Sequence, residues 1–181
     1  MKLIDKIKNK IGRFLLHKGI SKNKNGRSLP SFEQLLDIGI VYNANEKNNE
    51  EKINLFANYL RGQGKKVFML GYVDAKILPP SKKFHITSEY FWKEKLTKFN
   101  LPDAVKIGRF LETPFDLLMN IYYEDELPLQ AISVYSRAKY RIGAKIPNAL
   151  VYNDTVIDTS TNKDLQNLAS QMVHYLKVVS R

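Results

Sequence analysis

FDLLMNIYYEDELPLQAISVYSRAKYRIGAK, from Phe115 to Lys145, reads as a complete strand, helix and strand unit. Phe115 to Ile121 is an almost unbroken apolar run, the pattern of a strand covered on both faces in a parallel sheet. It stops at the polar turn Tyr122-Tyr123-Glu124-Asp125-Glu126. Pro128 suits a first helical turn, where a missing N–H costs no hydrogen bond, and the acids before it favour the positive end of a helix dipole. Leu129, Ile132 and Ser136 then fall on one side, and Tyr140 to Gly143 returns as a short strand.

Upstream, the same alternation repeats. Ile38 to Tyr42 reads as a buried strand ending at Asn43-Ala44-Asn45. The following helix has Asn43 or Asn45 as its cap, Glu46, Glu50 and Glu51 in its first turns, an inward stripe of Ile53, Phe56, Ala57 and Leu60, and Gly62 and Gly64 at its end. Lys66 to Val73 is the next strand, and helix-linked strands at this spacing imply right-handed crossovers in a parallel sheet. Between residues 74 and 114 the chain is broken by Pro79-Pro80, with a short strand expected over His85–Tyr90, a basic and aromatic patch over Phe91–Phe99, and a short helix over Asp103–Leu111. Leu150 to Asp158 reads as a hairpin or a strand with a tight turn at Asn153-Asp154. Thr161 then caps a final helix with Leu165, Leu168, Met172, Tyr175 and Leu176 inward. The expected fold class is α/β: one three-layer Rossmann-like or flavodoxin-like domain over residues 31–181, with a mostly parallel sheet of about five strands.

A chain of 181 residues, 44% hydrophobic and 26% charged, suits one soluble domain with its own core. The absence of cysteine removes disulfides, thiolate metal sites and thiol nucleophiles. His17, His85 and His174 lie far apart, none in a ligand-spaced pair, so neither metal nor cofactor is expected. No apolar run approaches the roughly 18 to 20 residues that cross a bilayer, and no secretory h-region is present, which gives the expectation of a cytoplasmic protein.

The net charge of +11 is unevenly spread: residues 1–28 hold +8 and the other 153 hold +3. Lysine supplies 22 of the 29 basic residues, so part of this basicity follows general composition. Within Met1–His17, however, Ile4, Ile7, Ile11 and Phe14 recur at helical spacing with Leu3 and Leu15 beside them, opposite Lys6, Lys10 and Arg13. This is a basic amphipathic helix, followed by a polar linker over Gly19–Pro30, and together residues 1–30 form a segment preceding the domain. The pattern suits an anionic membrane surface, nucleic acid, or docking on the protein's own core.

The blocks IGIVYNAN from Ile38, KVFMLGYVD from Lys66 and PFDLLMNIYYEDELPLQAISVYSRAKYRIGA from Pro114, with the terminal helix, resemble an uncharacterised bacterial family known only as a domain of unknown function. The resemblance spans Asp37–Val178 and implies a Rossmann-like fold without a mechanism. More distantly, PFDLLMNI followed by a helix and AKYRIGA is similar to the N-terminal half of heptosyltransferase-like GT-B enzymes. That likeness is confined to residues 114–144. Those enzymes close their site between two Rossmann-like halves where this chain supplies one, and the loop Asn43-Ala44-Asn45-Glu46 lacks their glycines.

Dinucleotide, P-loop and nucleophile-elbow motifs are absent. Arg61-Gly62-Gln63-Gly64-Lys65-Lys66 follows a helix and precedes a strand, the wrong order for a phosphate cradle, so it reads as helix termination. Glu124, Asp125 and Glu126 read as helix-capping acids rather than a Mg²⁺ site. A ligand on such a sheet belongs beyond the strand ends, where Asn43, Asn45, Asp74, Tyr122, Tyr123 and Glu124 form the candidate rim. An anionic partner would meet Lys6, Lys10, Arg13, Lys18, Lys22, Lys24 and Arg27, with Trp92 and Lys93 as a stacking and charge pair. The functional expectation is a non-catalytic binding or adaptor module that contacts RNA or a ribonucleoprotein through its basic N-terminal region. The alternatives are a small-metabolite or nucleotide-sugar-like ligand at the strand ends and peripheral association with an anionic membrane.

Overall fold

The computed structural model describes residues 3–20, 28–29, 31–82 and 86–179. Six strands form one sheet: β1 (Asp37–Asn43), β2 (Lys66–Val73), β3 (Ser88–Trp92), β4 (Leu117–Ile121), β5 (Tyr140–Ala144) and β6 (Thr155–Ile157). Every pairing is parallel and the order is β3-β2-β1-β4-β5-β6, which is Rossmann rather than flavodoxin topology. The helices are α1 (Leu3–Ile20), α2 (Lys47–Gly62), α3 (Gly108–Glu112), α4 (Leu127–Tyr135), α5 (Ala149–Tyr152) and α6 (Leu165–Val179).

Strand side chains alternate between faces, so a sheet with helices on both sides needs apolar residues at every position. Ile40, Met69, Leu117 and Met119 pack under α2 and α6, while their neighbours Val41, Leu70 and Leu118 pack under α3 and α4. A further layer is formed by α1, whose Leu16 joins Leu127 and Ala131 of α4, Tyr152 of α5, and Leu101.

The structure departs from the sequence reading in the C-terminal third. Residues 150–158 are not a hairpin: Leu150–Tyr152 lie in α5, and β6 joins β5 in parallel as a sixth strand. The cause lies across the sheet. Asn153 folds over Gly143, where a Cβ would stand 2.7–2.9 Å from its amide group. Its Nδ2 donates to the Ala149 carbonyl (3.1 Å), and its Oδ1 accepts from Asn120 Nδ2 (2.6 Å). The Asn-Asp turn is thus spent on a buried contact.

Helix caps differ as well. Asp164, not Thr161, starts α6, its Oδ1 accepting the N–H groups of Gln166 (2.8 Å) and Asn167 (3.3 Å). Glu46 occupies the cap position of α2 without a side-chain bond, because Asn43 and Asn45 are engaged elsewhere. Glu126 likewise precedes α4 without capping it through its side chain. β3 starts at Ser88, with the expected strand start His85 outside the described residues, and α3 covers only the end of the helix expected over Asp103–Leu111.

The Arg61–Lys66 segment terminates α2 as expected, with Gly64 at φ 77°. Lys65 is buried, and its ammonium donates to the carbonyls of Phe32 (2.8 Å), Glu33 (3.2 Å) and Leu35 (2.8 Å). It fastens the chain entering β1.

Candidate functional site

The ends of β1, β2 and β4 bring the six candidate rim residues to the carboxyl edge of the sheet, but not into one open pocket. Asn43 Oδ1 accepts both the backbone N–H (3.0 Å) and the Nδ2 (2.7 Å) of Asn45. Asn45 Oδ1 in turn accepts the N–H of Asp74 (2.7 Å), tying the loops after β1 and β2 together. The Asp74 carboxylate pairs with Lys93 (2.8 Å) and accepts from the Tyr72 hydroxyl (3.2 Å). The Tyr123 hydroxyl pairs with Thr159 Oγ1 (2.6 Å), and Glu124 Oε2 accepts the Tyr123 N–H (3.0 Å). Tyr122 turns the other way and is buried among the residues under α3 and α4, where burial pushes its phenol up.

Glu126, read from sequence as one of three helix-capping acids, makes no side-chain cap bond and sits instead in this rim. Burial, followed by repulsion from Glu124 and Asp74, raises its carboxyl from 4.5 to about 7 against the lowering effect of Lys93. The loops after β2 and β4 therefore bring Asp74, Glu124 and Glu126 near one another, with Asp74 paired to Lys93, beside the switch point between β1 and β4. Such a rim repels phosphate, and the glycines that admit a pyrophosphate in a Rossmann first loop are replaced by Asn43-Ala44-Asn45-Glu46. Among the described residues no group of three or more His, Cys, Asp or Glu side chains is arranged to hold a metal ion.

The second candidate surface is α1, and it is turned opposite to the inward apolar stripe that a docked amphipathic helix ordinarily presents. Its buried residues are Gly12 and Leu16. Beside them, Arg13 donates to Gln130 Oε1 (2.9 Å), to the Asp125 carbonyl (3.1 Å) and to Asp125 Oδ1 (3.2 Å). Asn100 Nδ2 donates to Asn9 Oδ1 (2.6 Å), and the His17 ring lies 6.2 Å from that of Tyr152. Leu3, Ile4, Ile7, Ile11, Phe14 and Leu15 consequently face away from the domain, with Ile4 63%, Ile7 52% and Phe14 62% exposed.

The anionic-partner candidates thus separate. Lys6, Lys10 and Lys18 are exposed on α1, with the Lys18 ammonium 5.4 Å from the Phe14 ring. Arg13 is turned to the domain, and Lys22, Lys24 and Arg27 lie outside the described residues. Trp92 packs against the α2/α6 side of the core with Lys95 over its ring at 4.7 Å, and Lys93 serves Asp74. Trp92 is thus half-buried at the end of β3, and Lys93 is drawn to the loop after β2.

The topology and the acidic, internally paired strand ends define an α/β protein of Rossmann type that carries an outward-facing amphipathic helix. Residues 8–179 match the profile of a family of unknown function (DUF6913), and the chain belongs to that family. No curated protein and no solved structure matches the chain, so the likeness of residues 114–144 to glycosyltransferases has no counterpart in either comparison.

Proposed function

We propose that this protein is a non-catalytic module that attaches to anionic membrane surfaces by laying α1 in the interface. The supporting observation is the orientation of α1: its inner face is clamped through Arg13 and Leu16 while six apolar side chains point outward. Lys6, Lys8, Lys10 and Lys18 lie along the same exposed helix. Nucleic acid would use the lysines and leave the apolar stripe in water, whereas a bilayer with anionic headgroups uses both. Half-burying six such side chains contributes about 5–9 kcal/mol, and each lysine adds about 1 kcal/mol near an anionic leaflet. No helix among the described residues is long and apolar enough to cross a membrane, so the helix lies in the plane.

Co-sedimentation of the full chain with vesicles of phosphatidylcholine, with and without phosphatidylserine, tests this reading. Binding is expected only to the anionic vesicles, falling with salt and abolished by combining Ile7→Ser with Ile11→Ser. Retention on RNA that survives those two substitutions, without vesicle binding, would overturn the proposal in favour of RNA. A dimer in light scattering that the same substitutions dissociate would assign the stripe to a second copy of the chain.

A further inference from the structure

On the sheet face opposite α1, helices α2 and α6 lie side by side and form an open groove of about 560 Å³. Phe56 and Val173 make its floor, and Leu55 and Tyr59 extend the apolar surface along α2. Ser170, small and polar, stands where a larger side chain on α6 would fill the space. Lys52, His174 and Lys177 stand along the groove, and its lining contains no carboxylate.

We propose that this groove binds an amphiphilic carboxylate, with its hydrocarbon on Phe56 and Val173 and its acid group between His174 and Lys177. The site is independent of the membrane surface assigned to α1. Its volume falls within the range of about 300–1,000 Å³ typical of small-molecule sites, which combine an apolar lining with a few polar groups. Charge selects the headgroup. Lys52 is already paired with Asp164, whose other oxygen caps α6, so its contribution is largely neutralised. Lys177 is held 3.4 Å from the Tyr59 hydroxyl and 4.7 Å from the Phe32 ring, with the Glu33 carboxylate close enough to interact with it electrostatically but no ion pair among the described residues. His174 has no hydrogen-bond partner among the described residues. A cation would be repelled here and a neutral amphiphile would leave these donors unused.

The experiment is a decanoate titration of the full chain followed by amide NMR shifts, with decanol and decyltrimethylammonium as comparison ligands. Decanoate is expected to shift residues 55–59 and 170–177 to saturation, with decanol about fivefold weaker or more. Combining His174→Gln with Lys177→Gln should weaken decanoate by a similar factor, and Ser170→Trp should remove the site by filling it. Equal binding of decanol, or no saturation below about 2 mM, would overturn the proposal. So would shifts confined to residues 3–15, which would place the amphiphile on α1 instead.

Discussion

Substituting Gly12 by alanine sets local helix preference against tertiary packing, and the geometry decides which wins. In an isolated helix the change stabilises by about 1 kcal/mol. In this protein a Cβ at Gly12 would stand 2.3 Å from the Phe99 carbonyl oxygen and 2.7 Å from Leu127 Cδ2. A carbon–oxygen contact needs about 1 Å more than that, so α1 must retreat from the domain. Retreat stretches the Arg13–Gln130 and Asn100–Asn9 hydrogen bonds, at about 1 kcal/mol each, and loosens the packing of Leu16. The net effect is about 1–2 kcal/mol against docking, a factor of about 5–30 in the ratio of docked to undocked helix. Hydrogen exchange of the amides of residues 9–16 should accelerate by that factor. Gly19→Ala is the internal comparison, because a Cβ there meets nothing within 4 Å and only the propensity gain remains. If Gly12→Ala slows exchange as Gly19→Ala does, the close approach of α1 to Phe99 is refuted.

Glu126→Gln should change the pH dependence of stability. The folded carboxyl titrates at about 7, above the ordinary 4.5, so its favourable contribution is complete below 4.5 and is lost as pH rises through 7. The variant should therefore match the parent in melting temperature at pH 4 and exceed it at pH 8; equal curves at both values would remove the acidic cluster as the cause. Lys65→Met leaves the carbonyls of Phe32, Glu33 and Leu35 without their buried donor, and should cost about 2–4 kcal/mol, readable as a lower urea midpoint with an unchanged slope. A midpoint unchanged within error would mean those carbonyls find other donors.

The strands that stand beneath two helical layers were legible because burial on both faces writes a continuous apolar run. The β2 run Lys66–Val73 has the same limits in sequence and structure, and β1 and β4 differ only at their ends. β6 was not legible as a strand parallel to β5, since its direction depends on Asn153 fitting over Gly143, a contact between segments that local preference does not describe. The rim residues Asn43, Asn45 and Asp74 followed from topology, but Tyr122 did not, because strand alternation sends it beneath α3 and α4. Glu126 read as a capping acid for a different reason: the burial that raises its pKa, and the Asp74 carboxylate brought from another loop, are set by the fold and not by local sequence. For α1, periodicity identified the apolar face and its basic neighbours, yet an amphipathic pattern does not say which face meets the domain. The glycine in mid-helix was the one local sign of a close approach, and Arg13 found its partners 112 and 117 positions away.

The strand order also has a consequence for how the chain assembles. β1 with β2, β2 with β3, β4 with β5 and β5 with β6 each join neighbours along the sequence, whereas β1 with β4 joins segments 79 positions apart. Loop-closure entropy rises with the length closed, so the two halves of the sheet form at lower cost than the seam between them. Folding speed is then governed by the meeting of β1 and β4, and substitutions along that seam, such as at Ile40 or Met119, should slow folding more than equal truncations within either half.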